Sequence, residues 1–216
     1  MLGPPRGQVF GERVEVRVHP LVPEIPLYLL AGEVDLTRHI DAIFDVELAP
    51  CWPFAWSGGA ALARYLLDRP DIVRDKVVVD FGAGSGIVGI AAALAGAKKV
   101  VCVDLDVDAL EACRVNAELS KVSVEVSRET PDEWDLLLAA DVLYASDNTD
   151  VLAIIAKPNR ALLLAEALRP GAPKPSREPV AVYEVKTFPD VDVPVTRAYL
   201  FEFEGRQAWE EAFRLR

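Results

Sequence analysis

The chain reads as a doubly wound α/β fold: a mostly parallel seven-stranded sheet with helices on both faces, finished by an antiparallel hairpin. Three observations predict it. Apolar strand-like runs alternate with helical runs across residues 76–166, and each crossover between parallel strands needs such a helix. The first of these strands, 76–81, runs directly into Gly82-Ala-Gly-Ser-Gly86 and then a helix, the opening of many nucleotide-binding sheets. Two strand-like runs near the end, 180–188 and 195–203, are joined by Pro189-Asp-Val-Asp-Val-Pro194. That link is too short for a crossover helix, so the two pair antiparallel.

The elements follow in order. Residues 14–18 alternate Val-Glu-Val-Arg-Val, the pattern of a half-buried strand. Residues 21–30 are extended, because each proline pushes its predecessor out of the helical region. Ser57 is placed to cap a helix running to about residue 68. Strand 76–81, helix 86–94, strand 99–104 and helix 108–119 come next, then strands 122–126 and 135–140, helix 148–155 and strand 160–166. The helix 86–94 is apolar all round and is expected to be buried against the sheet. A proline-rich loop, 170–179, leads to the hairpin, and the tail 207–216 suits a short amphipathic helix with no assigned role. The whole chain, 1–216, reads as one domain in three stretches. These are an N-terminal strand, lid and helix (1–75), a ligand-binding core (76–168), and the loop, hairpin and tail (169–216).

Asp80 selects the ligand of the core. The stretch Gly84-Ser-Gly86-Ile-Val-Gly89 satisfies the GxGxxG pattern, in which backbone N–H groups and a helix N-terminus approach a pyrophosphate. A carboxylate fixed just before that loop repels a pyrophosphate, whereas it attracts the α-ammonium and sulfonium of S-adenosylmethionine. The expected cofactor is therefore S-adenosylmethionine; the competing reading is a tight turn that binds nothing. Asp104 ends the next strand, 24 residues after Asp80, where a carboxylate accepts hydrogen bonds from ribose hydroxyls. Asp106 is expected to cap the following helix.

Composition narrows the partners. With 216 residues, 51% hydrophobic, the chain can bury a good core. Its formal charge of −11 argues against a nucleic-acid substrate, which requires clustered Lys and Arg. Three cysteines without metal-ligand spacing suit a reducing compartment, and His19 and His39 stand apart from any ligand cluster, so no metal is expected. No apolar run reaches the ~20 residues of a membrane span, and prolines interrupt the N-terminus, so no membrane association and a cytoplasmic location are expected.

Two clusters carry acceptor chemistry. Asp141-Val-Leu-Tyr144 follows an apolar strand, so Asp141 and Tyr144 are expected on the same rim as Gly82 and Asp104. Methyl transfer by in-line displacement needs an acceptor lone pair about 3 Å from the methyl in good alignment. A lysine amine, with an ordinary pKa of ~10.4, is mostly protonated at neutral pH; a carboxylate aligns it while its proton leaves to water. On the competing reading Asp141 only caps a loop and Tyr144 only packs. The second cluster, Cys51-Trp-Pro-Phe-Ala-Trp-Ser-Gly-Gly59, is either an aromatic wall over a ligand or a lid packed on the core.

In order along the chain, several runs resemble the family 16 methyltransferases. They are Leu21-Val-Pro-Glu-Ile-Pro-Leu27, Trp52-Pro-Phe-Ala-Trp-Ser-Gly-Gly59, Ala60-Ala-Leu-Ala-Arg-Tyr-Leu-Leu67, Val77 to Gly86, Asp104-Leu-Asp106 and Asp141-Val-Leu-Tyr144. The resemblance spans about residues 20–205 and is to the branch of lysine methyltransferases acting on the electron transfer flavoprotein β-subunit. Bacterial members of that branch are often labelled predicted nicotinamide N-methyltransferases. It implies a class I methyltransferase fold, S-adenosylmethionine as cofactor, and a protein substrate with an accessible lysine. It also implies that Trp56, Asp80, Gly82, Ala83, Gly84, Gly86, Asp104, Leu105 and Asp141 line the cofactor site, with Asp141 and Tyr144 near the acceptor nitrogen. Two departures touch the acceptor side: Ala145 stands where an acidic residue is common, and Cys51-Trp-Pro-Phe-Ala precedes Trp56 where the family usually has more bulk. A small-molecule N-methyltransferase and a non-catalytic cofactor-binding scaffold remain the rival readings.

Overall fold

Backbone hydrogen bonding and apolar alternation organise the chain into two sheets. The computed structural model describes residues 3–32, 50–143, 161–169, 172–191 and 197–213; Tyr144, His39 and the expected helix 148–155 lie outside the described residues. The N-terminal sheet is antiparallel, with β1 (Gln8–Val9), β2 (Glu12–His19) and β3 (Val22–Leu30). Phe10 and Gly11, both at positive φ, make the two-residue turn joining β1 to β2. Along β3, Val22, Ile25, Leu27 and Leu29 are buried, so the proline-punctuated stretch is a paired strand packed on the core.

The main sheet follows the expected class. Helix α1 (Ser57–Asp68) precedes β4 (Val77–Phe81), α2 (Ile87–Leu94), β5 (Lys99–Val103), α3 (Val107–Leu119) and β6 (Glu125–Ser127). Then come β7 (Leu136–Ala140), β8 (Ala161–Glu166), β9 (Ala181–Glu184), β10 (Arg197–Glu204) and α4 (Gly205–Phe213). The order across the sheet is β6-β5-β4-β7-β8-β10-β9, parallel throughout except for β10, which is antiparallel to both neighbours. The winding reverses between β4 and β7, and the crevice above that point is where such sheets bind ligands.

Strand alternation divides the core into two faces. Val78, Val100, Cys102, Leu136, Leu138, Leu163, Ala165 and Leu200 pack against α1, α2 and α3. Val79, Val101, Leu137, Ala139, Leu162, Leu164, Phe201 and Phe203 point the other way, onto Trp209 and Ala212 of α4. The tail, assigned no role from sequence, therefore covers a sheet face, with Trp209 against Phe203 at 5.0 Å between ring centroids. Two strand boundaries differ from expectation. The third core strand starts at Glu125 because Val122 N–H still bonds the Ala117 carbonyl, closing the end of α3. The run expected as 180–188 leaves the sheet after Glu184, and Phe188 instead bridges Ala55 with two backbone hydrogen bonds of 2.8 and 2.9 Å. Among the described residues no helix is long and apolar enough to cross a membrane.

Candidate active site

The glycine loop is locked to the neighbouring strand before any ligand is considered. Gly82 and Ala83 N–H groups both donate to the Val103 carbonyl at the end of β5, at 2.9 and 3.1 Å, and Gly86 N–H donates to Ala83 O at 2.8 Å. Gly82, Gly84 and Gly86 all have positive φ. Gly84 is the informative one: a side chain there would meet nothing within 4 Å, so its backbone faces open space. A turn that merely packed would not leave that face free.

Asp104 lies beside this opening. Its carboxylate accepts from Gly84 N–H at 2.9 Å and Asp106 N–H at 3.0 Å, tying the loop to the β5 tip. Burial raises its pKa, against these backbone bonds that lower it. With Leu105 N–H as a third backbone donor, the carboxylate keeps about one lone-pair direction for a further donor such as a ribose hydroxyl. Leu105, 77% exposed, and Val107 present apolar surface next to it, suited to a purine ring. Asp106 caps α3 as expected, accepting Asp108 N–H at 2.9 Å. The residues present thus fit an adenosine ligand carrying a ribose.

Asp80 is turned inward. It is only 2% exposed, and its Oδ2 accepts Gly89 N–H from α2 at 2.8 Å. Burial pushes its pKa up to about 7. The carboxylate that singled out the cofactor in the sequence therefore has the helix as its hydrogen-bond partner, and lies beneath the loop rather than on its open face.

Asp141 joins three elements. Its Oδ2 accepts N–H groups from Gly58 (2.6 Å) and Gly59 (3.3 Å), the first turn of α1, and its Oδ1 pairs with Arg169 Nη1 at 2.9 Å. Its own N–H donates to Ala165 O at 2.9 Å, with φ at +52°. A side chain on Gly58 would stand 2.6 Å from Asp141 Oδ2 and 2.7 Å from Ala165 O. Glycine is what lets α1 come this close. Ser57 does not cap α1 as expected; it is the first helical residue, fully buried, and its Oγ lacks a partner. A carboxylate 84 residues away in sequence does the capping, because it brings a full negative charge to the helix N-terminus. Trp56 is half-buried at the same corner, its indole N–H on Cys51 O at 2.9 Å, its ring 5.4 Å from Phe54 and 5.3 Å from the Arg169 guanidinium.

The crevice thus brings together Trp56, Gly82, Ala83, Gly84, Gly86, Asp104, Leu105 and Asp141, with Asp80 under the loop; Tyr144 is outside the described residues. Three side chains at the site went unread in the sequence. Asn116, fully buried, accepts Tyr28 N–H from β3 and donates to Ser85 O in the loop, both at 2.8 Å. Its signal is an amide on the apolar face of α3 that Ala109, Ala112 and Cys113 mark out. Glu166 accepts the Val142 and Leu143 N–H groups and Arg169 holds Asp141. Glu166 ends the apolar strand β8, much as Asp80 stands one residue before the end of β4, and that is its signal in the sequence.

A model of the ribosomal protein L11 methyltransferase family matches residues 61–165. The electron transfer flavoprotein beta subunit lysine methyltransferase of Homo sapiens is 37% identical over 145 residues, 61% of this chain and 52% of that protein. Its Xenopus laevis counterpart is 37% identical over 148 residues, 65% of this chain and 59% of that protein. The ribosomal protein L11 methyltransferase of Shewanella piezotolerans is 42% identical over 113 residues, 51% of this chain and 36% of that protein. The chain thus spans little more than half the length of the flavoprotein-directed relatives. A Pyrococcus horikoshii protein assigned as an RNA methyltransferase shares the fold, at a TM-score of 0.53 and 17% identity over 68% of this chain and 82% of that one. The sheet order and glycine loop are those of the class I methyltransferase fold, and part of the sequence is similar to enzymes named for lysine of the electron transfer flavoprotein β-subunit and for ribosomal protein L11.

Proposed function

We propose that the chain transfers a methyl group from S-adenosylmethionine to a lysine amine of a protein. The observation that carries this reading is the ring of carboxylates at the C-terminal ends of adjacent strands. Asp80, Asp104, Asp141 and Glu166 end or follow β4, β5, β7 and β8 around the glycine loop. Where ionised, these carboxylates attract a cationic donor and a cationic amine and repel phosphate ligands, with Asp80 and Glu166, raised to about 7 and about 8, contributing only part of that charge at neutral pH. When bound, S-adenosylmethionine supplies an electrophilic methyl on a sulfonium. Asp104 takes the ribose hydroxyls, the Gly84 backbone lies along the donor, Leu105 flanks the purine, and Trp56 walls the site with Gly82, Ala83 and Gly86. Asp80 holds α2 under the loop and contributes charge. Asp141 has three lone-pair directions occupied, by Gly58, Gly59 and Arg169. A carboxylate has about four, so one remains to align the amine, with Tyr144 as its companion. The amine loses its proton to water before it attacks.

A protein acceptor is supported by kinship to enzymes named for protein substrates, and a lysine by the 37% identical relatives in particular. The testing experiment uses isotope-labelled donor with three acceptors: electron transfer flavoprotein β-subunit, ribosomal protein L11, and the small-molecule fraction of a lysate. Label on lysine of the first is the expected result. Label only on L11 would move the acceptor to the ribosome, and label only in small molecules would overturn the protein reading.

A further inference from the structure

Arg169 brings a spare hydrogen-bond donor to the crevice. Its Nη1 pairs with Asp141 Oδ1 at 2.9 Å, and its guanidinium stands 5.3 Å from the centre of the Trp56 ring. Its Nη2 is closed to solvent and has no hydrogen-bond partner among the described residues. Glu166 lies close enough to feel the guanidinium, but its Oε1 is taken by the Val142 and Leu143 N–H groups. A buried donor left unpaired is costly, so an anion that reaches Nη2 is favoured on that account. A guanidinium carries five N–H donors, enough for a second carboxylate beside Asp141.

The donor proposed above carries such an anion. Its amino-acid end holds an α-carboxylate beside the α-ammonium, and the carboxylates of Asp104 and Asp141 attract the second but repel the first. The direction of the tail also leads to Arg169. With the ribose on Asp104 at the end of β5 and the purine beside Leu105, the tail leaves across β4 toward β7. That is two strand spacings, about 10 Å, which an extended tail spans. Asp141 follows β7 and holds Arg169 at that end. Cys51, whose carbonyl accepts the Trp56 indole N–H, has Asp104, Asp106 and Arg169 as charged neighbours, so guanidinium and ribose carboxylate border one crevice. Among the described residues, other cations at this rim stand on the β5–β6 side: Arg6 pairs with Asp108 in the first turn of α3, and Arg128 is exposed after β6. We propose that Arg169 is a specificity-determining residue, a reading that rests on the donor proposed above: its Nη2 binds the α-carboxylate of the donor, and one guanidinium thereby ties the donor tail to Asp141. The contact selects ligands with an intact amino-acid end.

The test is calorimetric binding of S-adenosylmethionine and of its decarboxylated form, which differ only in the α-carboxylate, to the wild type, Arg169→Met and Arg128→Met. The wild type is expected to prefer the intact donor roughly tenfold or more, the scale of one charge-assisted contact. In Arg169→Met that preference is expected to vanish or reverse, since the remaining carboxylates favour the more cationic ligand; Arg128→Met is expected to keep it. Arg169→Gln retains an N–H donor for Asp141 without the charge, and gives the same readout where the Met variant is too unstable to assay. A purely structural Arg169 predicts a different result: loosening Asp141 weakens both ligands alike and leaves their ratio as in the wild type. That unchanged ratio, a wild-type ratio near one, or loss of the preference in Arg128→Met instead, overturns the proposal. Binding of neither ligand by the folded wild type removes the donor reading and this proposal with it. Acceptor identity does not enter the measurement, so an error in the lysine reading shows only in the transfer assay.

Discussion

Asp141→Asn separates a structural hub from a solvent-facing carboxylate. The substitution keeps one oxygen for Gly58 N–H, at 2.6 Å in the wild type, but places an NH2 group or a neutral oxygen against Arg169. The Asp141 and Arg169 side chains are 6% and 18% exposed, so the pair is screened little by solvent. A lost charge-assisted hydrogen bond costs about 1.5–3 kcal/mol. Loss of the anion at the α1 N-terminus adds about 0.3–1 kcal/mol. A total of about 2–4 kcal/mol in a chain of this size lowers Tm by roughly 5–15 °C. The assay is thermal unfolding at pH 7 in low and high salt, with Arg169→Met and the double variant completing a cycle. The drop should survive added salt, and the two substitutions together should cost less than the sum of each alone. An Asn variant melting within about 1 °C of the wild type would refute the hub. In the transfer assay the same variant is expected to lose turnover by roughly 100-fold, the scale of a lost transition-state contact.

Asp104→Ala is expected to weaken S-adenosylhomocysteine binding roughly tenfold or more, because it removes the ribose acceptor and frees the loop at Gly84; unchanged affinity in a calorimetric titration would remove Asp104 from the donor site. Gly58→Ala forces a Cβ to 2.6 Å from Asp141 Oδ2 and 2.7 Å from a backbone oxygen, so it should cost about 1–3 kcal/mol or more. Gly84→Ala meets open space and bears only the left-handed backbone cost; it should spare Tm relative to Gly58→Ala and lower donor affinity, and the reverse ranking would mean that the loop packs rather than binds. Burial raises Asp80 to about 7, above the ~3.9 of an unfolded chain. The folded state therefore binds that proton more tightly, a gain complete below about pH 4 and lost as pH rises through about 7. Between pH 5 and 8 the wild-type Tm should fall, and Asp80→Asn should flatten part of that fall; parallel curves would show Asp80 ionised throughout.

Local pattern alone carried the order of elements from β4 to β8, the antiparallel end of the sheet and the positions of Asp104 and Asp106, because strand alternation, glycine turns and helix caps are short-range properties. Asp80 and the glycine loop pointed to the donor, and the family-like runs to the acceptor proposed above. Direction was a different matter. Asp80 and Asp104 both end apolar strands before a turn, yet one carboxylate faces the interior of α2 and the other the open loop. Asp80 pairs with Cys102 inside the sheet, whereas Asp104 lies two positions beyond Cys102 and past the last pair, Phe81–Val103, so depth along the strand decides between them. Ser57 carries every local sign of an N-cap, but the cap of α1 comes from Asp141 across the sheet. Asn116, Glu166 and Arg169 act through partners 23 to 88 residues away. Contacts of that range exist only once the sheet has brought the strand ends together, and burial then makes each of those polar groups depend on finding its partner.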